Sequence, residues 1–261
     1  MIPRLTSRKL KEPLESNKKE LSRQRIRLKN GSSCDLVKYD IAGYGVADFI
    51  ENTTIGNGQF RRARSLMPFN YLDASLDKFN WRVYETNVTY QQKIVQSFVD
   101  KFRDYQKAGK GLYIFSRTKG SGKTFLACCM ANEILNYIDT CVKFISIPEL
   151  LDMTKKSYTD YMLKSDIETI KTAELLILDD IGAETRKEWV DSELFKIIDY
   201  RYSNNKVTIF TSNVPMGDLK LNERIVDRIC SMSVNINIPE KSVRMIQANR
   251  NNMNFLKDVM S

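Results

Sequence analysis

Hydrophobic positions in the second half of the chain come in short runs separated by longer amphipathic stretches. The runs lie at 112–115, 142–147, 175–178, 207–210 and 234–238. The run at 175–178 contains only leucine and isoleucine, which is typical of a strand covered on both faces of a sheet. Five strands with intervening helices predict a parallel, doubly wound α/β sheet.

The first half of the chain has a weaker pattern. Residues 90–107 carry apolar positions at helical spacing and predict one amphipathic helix. Residues 1–30 are polar with loosely helical leucine spacing, and the glycines of 31–60 indicate turns or a connector. We therefore predict a small, mostly helical, basic N-terminal region with a linker over 1–65, and one larger domain over 66–261.

Positive charge is concentrated at the N-terminus. The whole chain has a net charge of +9, and residues 1–29 alone carry ten Lys or Arg against three acidic residues. A basic arm of this kind favours nucleic acid or an acidic partner surface. A solvated, partly disordered tail would have the same composition, and both interpretations stay open from the sequence.

Two features of the composition narrow the chemistry. The chain has no histidine, which excludes Ser-His-Asp and Cys-His nucleophiles and histidine-ligated metals. Its five cysteines form no C-x-x-C pair, so we expect reduced thiols and a cytoplasmic protein. No apolar run approaches the ~20 residues of a membrane span.

A glycine-containing segment between the first predicted strand and a helix over 123–137 predicts a phosphate-binding loop. Gly120 and Gly122 allow backbone N–H groups to converge on phosphate oxygens at a helix N-terminus. Lys123 adds a cation, and the Thr124 hydroxyl can bind Mg²⁺. The predicted nucleotide contacts are Arg117, Thr118, Lys119, Gly120, Ser121, Gly122, Lys123, Thr124 and Phe125.

The loop departs from the usual pattern at one position. The full motif has glycine where this chain has Arg117. An arginine there requires either a strained backbone or a slightly different loop.

Polar side chains follow two of the predicted strands. Asp179 and Asp180 end the fully apolar run, and Asn213 ends the next strand. The carboxyl edge of a parallel sheet adjoins the phosphate loop, so Asp179 is expected to hold Mg²⁺ and Asp180 to orient or deprotonate the attacking water. Asn213 can hold that water or a γ-phosphate oxygen, although a turn residue is the simpler interpretation of the asparagine alone.

Three arginines further along are candidates for contacting the γ-phosphate. Arg224 and Arg228 lie four residues apart on one face of a predicted helix, and Arg244 follows the last strand. An arginine from a neighbouring subunit can stabilise charge that develops during hydrolysis. Taken singly, each is better interpreted as an ordinary surface arginine.

Together these motifs resemble the DnaC/DnaI/IstB clade of AAA+ ATPases. The resemblance rests on residues 119–124, 178–184, 211–213 and 223–229. It implies a P-loop AAA+ fold with a minimal C-terminal lid, ATP and Mg²⁺ as cofactors, and a homo-oligomer. It also implies a loader of a DnaB-type hexameric replicative helicase that binds single-stranded DNA. The implied roles are Lys123 and Thr124 for phosphate and Mg²⁺, Asp179 and Asp180 as Walker B pair, Asn213 as sensor 1, Arg228 as arginine finger and Arg244 as sensor 2.

The resemblance also places a DNA-facing segment between the second and third predicted strands. Lysines there can follow phosphates and tyrosines can stack on bases, although a solvated helix face would have the same composition. The basic N-terminal arm is the expected helicase-docking region. The predicted DNA contacts are Lys155, Lys156, Tyr158 and Lys164.

Two alternatives stay open. A transposition helper ATPase of the IstB type shares the same motifs, and a non-hydrolysing ATP-binding adaptor would need only the nucleotide site. The absence of an Asn-Lys-x-Asp string argues against a GTPase, and the absence of Leu-Ser-Gly-Gly-Gln argues against a transporter ATPase.

Overall fold

The computed structural model describes residues 18–27, 33–42, 45–51, 61–182 and 188–260. The chain divides into two compact units, Met1–Gln59 and Phe60–Ser261. The division falls slightly before the boundary predicted at 65/66. The helicase-docking role predicted for the first unit stays a prediction.

The first unit contains a three-stranded antiparallel sheet of β1 (Lys18–Arg27), β2 (Ser33–Ile41) and β3 (Gly45–Glu51), in that order. The predicted mostly helical character is therefore wrong for the described part of this region. The physical reason is a period of two along β2, where Val37, Tyr39 and Ile41 are all buried on one face. The loosely helical leucine spacing lay largely outside the described residues.

The charge of this sheet is partly compensated within it. Arg23 pairs with Glu20 at 2.8 Å and with Asp35 at 3.3 Å, and Arg25 lies 3.8 Å from the same buried Asp35. Two arginines of the predicted basic arm, Arg23 and Arg25, thus pair with carboxylates of the same sheet.

The second unit contains the predicted parallel sheet. Its strands are β4 (Gly111–Phe115), β5 (Val142–Ser146), β6 (Leu175–Asp179), β7 (Val207–Ser212) and β8 (Ser233–Asn237). They lie in the order β5-β6-β7-β4-β8, and every neighbouring pair is parallel. The prediction of a five-stranded parallel α/β sheet is confirmed. The strand order puts the ends of β4, β6 and β7 side by side at the centre of one edge.

The helices of this unit flank the sheet. They are α1 (Thr89–Asp100), α2 (Phe102–Ala108), α3 (Lys123–Tyr137), α4 (Ile147–Ser157), α5 (Tyr161–Thr172), α6 (Glu188–Ser203), α7 (Glu223–Met232) and α8 (Val243–Met260). The single helix predicted over 90–107 is two helices, because the backbone of Lys101 leaves the helical region at φ −112° and ψ 27°. Within the described ranges, no helix has the length and apolar character needed to cross a membrane.

Alternate residues of each strand pack into two separate hydrophobic clusters. Leu112 and Ile114 join the cluster that contains α3, whereas Tyr113 joins the cluster that contains α4, α6 and α7. Because successive strand side chains point to opposite faces, the clusters cover the two faces of the sheet. This three-layer packing explains why residues 175–178 are apolar at every position.

A fully buried arginine near the sheet was not anticipated from the sequence. Arg201 lies at the C-terminal end of α6 and donates to the Thr208 hydroxyl and to the carbonyls of Lys171, Ala173 and Val207. Burial lowers its pKa to about 9. The guanidinium therefore joins the ends of α5 and α6 to the start of β7 through neutral oxygens.

Candidate nucleotide-binding site

The segment between β4 and α3 forms a tight loop around two glycines. Gly120 and Gly122 have φ values of +74° and +96°, in the left-handed region that glycine adopts without strain. A Cβ at Gly122 would lie 3.1 Å from the Tyr84 hydroxyl and 3.3 Å from the Phe79 ring. The loop conformation thus requires glycine here both for backbone angle and for space.

Arg117 occupies its position without a positive φ, so the expected alternative of a slightly different loop applies. Its side chain is exposed and lies 3.4 Å from Asp218. The backbone N–H groups of Arg117 and Thr118 donate to the Glu240 carboxylate at 2.8 and 2.6 Å. Neither residue is among the described residues that line the cavity beside the loop, so their nucleotide contact stays a prediction.

Lys123 is buried at the first turn of α3. Its ammonium donates to the carbonyls of Ser116 and Thr118, to the Ser121 hydroxyl at 3.2 Å, and to Asn213 Oδ1 at 2.8 Å. Burial lowers the pKa of Lys123, and the nearby carboxylate of Asp180 opposes that shift. These oxygen atoms hold the positively charged ammonium group of Lys123 beside the loop.

Asp179 at the end of β6 lies against α3. Its Oδ1 accepts hydrogen bonds from the hydroxyls of Thr124 at 2.7 Å and Thr211 at 2.6 Å. Burial raises the pKa of Asp179, and these two hydrogen bonds oppose the rise. Hydroxyl and carboxylate oxygens are the ligands that Mg²⁺ prefers, so the donor set of Thr124 and Asp179 fits this ion.

Asp180 has an unusual backbone. Its φ is +62°, a left-handed conformation that costs a non-glycine residue about 1 kcal/mol or more. The conformation is held because its N–H donates to the Thr211 hydroxyl and its carboxylate accepts from Asn213 Nδ2 at 2.7 Å. Asn213 also accepts from Lys123, so one amide joins the loop cation to the second carboxylate.

These groups border a cavity of about 450 Å³. Of the predicted nucleotide contacts, those from Lys119 to Phe125 line it, together with Arg244, Asp179, Asp180 and Asn213. The backbone N–H of Arg244 also donates to the Gly120 carbonyl at 3.1 Å.

The opposite wall of the cavity was missed by the sequence reasoning. Three short 3-10 turns, Phe69–Tyr71, Leu76–Lys78 and Trp81–Tyr84, supply this wall. The Tyr84 hydroxyl donates to the Ser121 carbonyl at 2.6 Å, and burial raises the Tyr84 pKa. A density of aromatic residues before α1 was the only signal available. The lining residues are Asn70, Tyr71, Lys78, Phe79, Asn80 and Tyr84.

A buried asparagine holds this wall against α3. Asn132 Nδ2 lies within 2.9–3.2 Å of the carbonyls of Tyr71, Leu72 and Ala74. One side-chain amide thereby attaches the 3-10 segment to the helix that begins at Lys123.

The predicted arginine finger lies away from this cavity. Arg228 on α7 donates from Nε to Asp199 and from Nη1 to the carbonyl of Arg224, and its guanidinium lies 4.7 Å from the Phe195 ring centroid. Among the described residues, none accepts a hydrogen bond from Nη2. These contacts fix the orientation of the guanidinium.

Of the predicted DNA contacts, Lys155 and Lys156 lie on α4, Tyr158 follows that helix and Lys164 lies on α5; none of them lines the cavity. Lys155 lies over the Trp189 ring, Lys156 pairs with Asp152 at 2.7 Å, and the exposed Tyr158 bonds Glu193 at 3.3 Å. Lys164 lies 4.7 Å from the centroid of the exposed Tyr161 ring. The four side chains are exposed, and whether they contact DNA stays a prediction.

A parallel sheet with a glycine loop, a buried lysine and paired carboxylates at its edge defines a P-loop nucleotide-binding protein. Comparison with known families agrees. The profile described as IstB-like ATP binding protein matches residues 58–251, and the chain belongs to this family.

Two curated relatives carry the same similarity. The replicative helicase loader DnaI of Bacillus subtilis is 30% identical over 165 residues, which is 62% of this chain and 52% of that protein. The replicative helicase loader DnaC of Escherichia coli K12 is 26% identical over 121 residues, 45% of this chain and 49% of that protein. The chain spans about half the length of these relatives.

Solved structures of DnaI and DnaC resemble the fold of this chain. The crystal structure of DnaI aligns with a TM-score of 0.58 and 30% identity, covering 66% of this chain and 95% of that one. The DnaC helicase loader aligns with a TM-score of 0.58 and 27% identity, covering 66% and 99%. The AAA+ fold and the family resemblance inferred from the motifs are confirmed.

Proposed function

We propose that this protein is an ATP-dependent loader of a DnaB-type replicative helicase. The observation that carries the proposal is the hydrogen-bonded series Lys123–Asn213–Asp180 beside a cavity of nucleotide size. Through Asn213, this series connects the lysine that would bind the phosphates with Asp180, the residue that would activate water. The names of the two curated relatives support the choice of a helicase loader among P-loop ATPases.

Within the cavity, we place the phosphates against the loop. We place the base against the aromatic wall, which is the side of the cavity lined by Tyr71, Phe79 and Tyr84. Lys123 would exchange its carbonyl partners for phosphate oxygens, and Phe79, which lines the cavity, would contact the base. Thr124 and Asp179 would hold Mg²⁺, which supplies neutralising charge for the phosphates when bound. Substitution Lys123→Ala is expected to abolish binding of a fluorescent ATP analogue, since it removes the only lysine that bonds Asn213 among the described residues.

Hydrolysis would use Asp180 to orient and deprotonate water and Asn213 to position it. Arg228 of a neighbouring copy would stabilise the charge that develops, so the active form would be a homo-oligomer. Asp180→Asn is expected to keep ATP binding and abolish DNA-stimulated phosphate release. A wild-type protein that binds ATP without phosphate release would instead support the non-hydrolysing adaptor.

Single-stranded DNA would bind along α4 and α5. The double variant Lys155→Glu/Lys156→Glu should weaken binding and reduce the slope of affinity against salt concentration, because phosphate contacts release counterions. A matched control is Lys93→Glu on α1 combined with Lys101→Glu, which follows α1 directly; this double variant makes the same change in net charge elsewhere. Equal binding by the two double variants would place the DNA on another surface.

The partner is tested by co-expression with candidate hexameric helicases and measurement of the mass of the complex. Deletion of residues 1–60 should remove helicase capture while DNA affinity is measured separately. Co-purification with a transposase rather than a helicase would favour the transposition-helper alternative.

A further inference from the structure

Glu240, which follows the last strand, bonds the phosphate loop from outside the cavity. Glu240 accepts the backbone N–H of Arg117 at 2.8 Å, the backbone N–H of Thr118 at 2.6 Å and the hydroxyl of Ser116 at 3.1 Å. Glu240 is not among the described residues that line the cavity. It therefore contacts the loop and not the space where a ligand would lie.

The chain on both sides of Glu240 follows the same loop. The Ile238 N–H donates to the Phe115 carbonyl at 2.8 Å, and the Arg244 N–H donates to the Gly120 carbonyl at 3.1 Å. A Cβ at Gly120 would lie 3.0 Å from Arg244 Cβ, which leaves no space between the two segments. Residues 238–244 thus run along the loop from its start to its first glycine.

The charge state of Glu240 suits this contact. Burial raises its pKa, but hydrogen bonds from Thr118, Arg117 and Ser116 outweigh burial, so the pKa is below its ordinary value of 4.5. The carboxylate is ionised at neutral pH and accepts charge-assisted bonds, which are the stronger kind. One of the three bonds comes from Arg117, the residue where the usual motif has glycine, and the other two come from its neighbours Ser116 and Thr118.

We infer that Glu240 is a positioning residue that sets the conformation of the phosphate loop and thereby the affinity for nucleotide. The inference rests on the proposed nucleotide-binding function and deepens it. Residues 116–118 lie in the turn that Glu240 bonds. The carboxylate orders that turn before nucleotide binds, which lowers the conformational entropy lost on binding.

The charge of Glu240 also has an opposing effect on nucleotide binding. Removing a negative charge near phosphates would favour nucleotide binding by electrostatics alone. Glu240 is exposed, so its field is screened by water and salt. Three direct hydrogen bonds outweigh a screened repulsion, and substitution should weaken binding.

The test compares Glu240→Gln and Glu240→Ala with Glu85→Gln, an exposed carboxylate paired with the adjacent Lys241 at 2.8 Å. A fluorescent ATP analogue gives the Kd, and hydrogen exchange reports loop amides. Both Glu240 variants should bind about tenfold more weakly, equivalent to about 1.4 kcal/mol. Exchange should rise at residues 116–120 alone. KM for ATP should rise with kcat within about twofold, whereas Glu85→Gln should match wild type.

Different results would contradict the role of Glu240 and the proposed nucleotide-binding function. Unchanged Kd and unchanged exchange in both Glu240 variants, with wild type binding the analogue and Lys123→Ala not binding it, would overturn the positioning role. Absence of binding by wild type itself would overturn the proposed function. A melting temperature that falls with uniform exchange across the domain would show a general structural role and also reject the inference.

Discussion

Thr211 connects the two carboxylates at the edge of the sheet, and its replacement tests that connection. Its hydroxyl donates to Asp179 at 2.6 Å and accepts the Asp180 N–H at 2.9 Å, and the residue is 1% exposed. Thr211→Val keeps the shape of the side chain and removes both hydrogen bonds. We expect it to destabilise the protein and to weaken magnesium-dependent nucleotide binding.

The magnitude follows from the two bonds. A hydrogen bond to a charged group contributes about 1.5–3 kcal/mol and a neutral one about 0.5–1.5 kcal/mol. Valine fills the same volume, so no cavity cost is added. We expect a loss of about 2–4 kcal/mol in the free energy of unfolding. For a domain of this size the melting temperature should fall by roughly 5–15 °C.

The assay combines denaturant unfolding with titration of an ATP analogue over a range of magnesium concentrations. Loss of the Thr211 bond also removes one of the two hydrogen bonds that oppose the raised pKa of Asp179, so that pKa should rise further. Thr169→Val is a matched control, because its hydroxyl bonds only a backbone carbonyl on the exposed face of α5. Stability within about 0.5 kcal/mol of wild type and an unchanged magnesium dependence would refute the reasoning.

Each of three further side chains can be tested by one substitution. Asp199→Ala should lower kcat of the assembled ATPase with KM nearly unchanged, because it releases the Nε bond that orients Arg228; equal kcat would remove Asp199 from this role. Arg201→Met should lower the free energy of unfolding, measured by denaturant, by about 3–5 kcal/mol, since three buried oxygen acceptors and one part-buried acceptor lose their donor. The lowered pKa of Glu240 gives a stability contribution that is complete above pH 4.5 and is lost as the pH falls further, so the difference in stability between wild type and Glu240→Gln should shrink on acidification; a difference independent of pH would contradict this.

Local patterns in the sequence were sufficient for the parallel sheet and the phosphate loop. The loop from Lys119 to Thr124 is contiguous, and its chemistry depends on neighbours along the chain. The apolar run that ends in Asp179 and Asp180 is equally local, because burial on both faces of a strand leaves no polar position. These features could be predicted since each is encoded within a short window.

The N-terminal sheet shows where local reading failed. Leucine spacing and glycine content favoured a helix and a connector, but Val37, Tyr39 and Ile41 alternate and pair with partners on β1 and β3. Strand pairing is decided by residues distant along the chain, and a short alternating segment is ambiguous until its partners are known.

The tertiary structure decided which distant groups meet the loop. Tyr84 lies 37 residues before its partner Ser121, and Glu240 lies 122 residues after Thr118. These meetings depend on the strand order β5-β6-β7-β4-β8, which places β8 beside β4, and on the 3-10 turns that Asn132 holds against α3. The sequence alone determined a nucleotide-binding α/β protein, because phosphate recognition is encoded in one short loop. The aromatic wall and the hydrogen bonds from the loop to Glu240 form only when folding brings segments that are distant along the chain next to the loop.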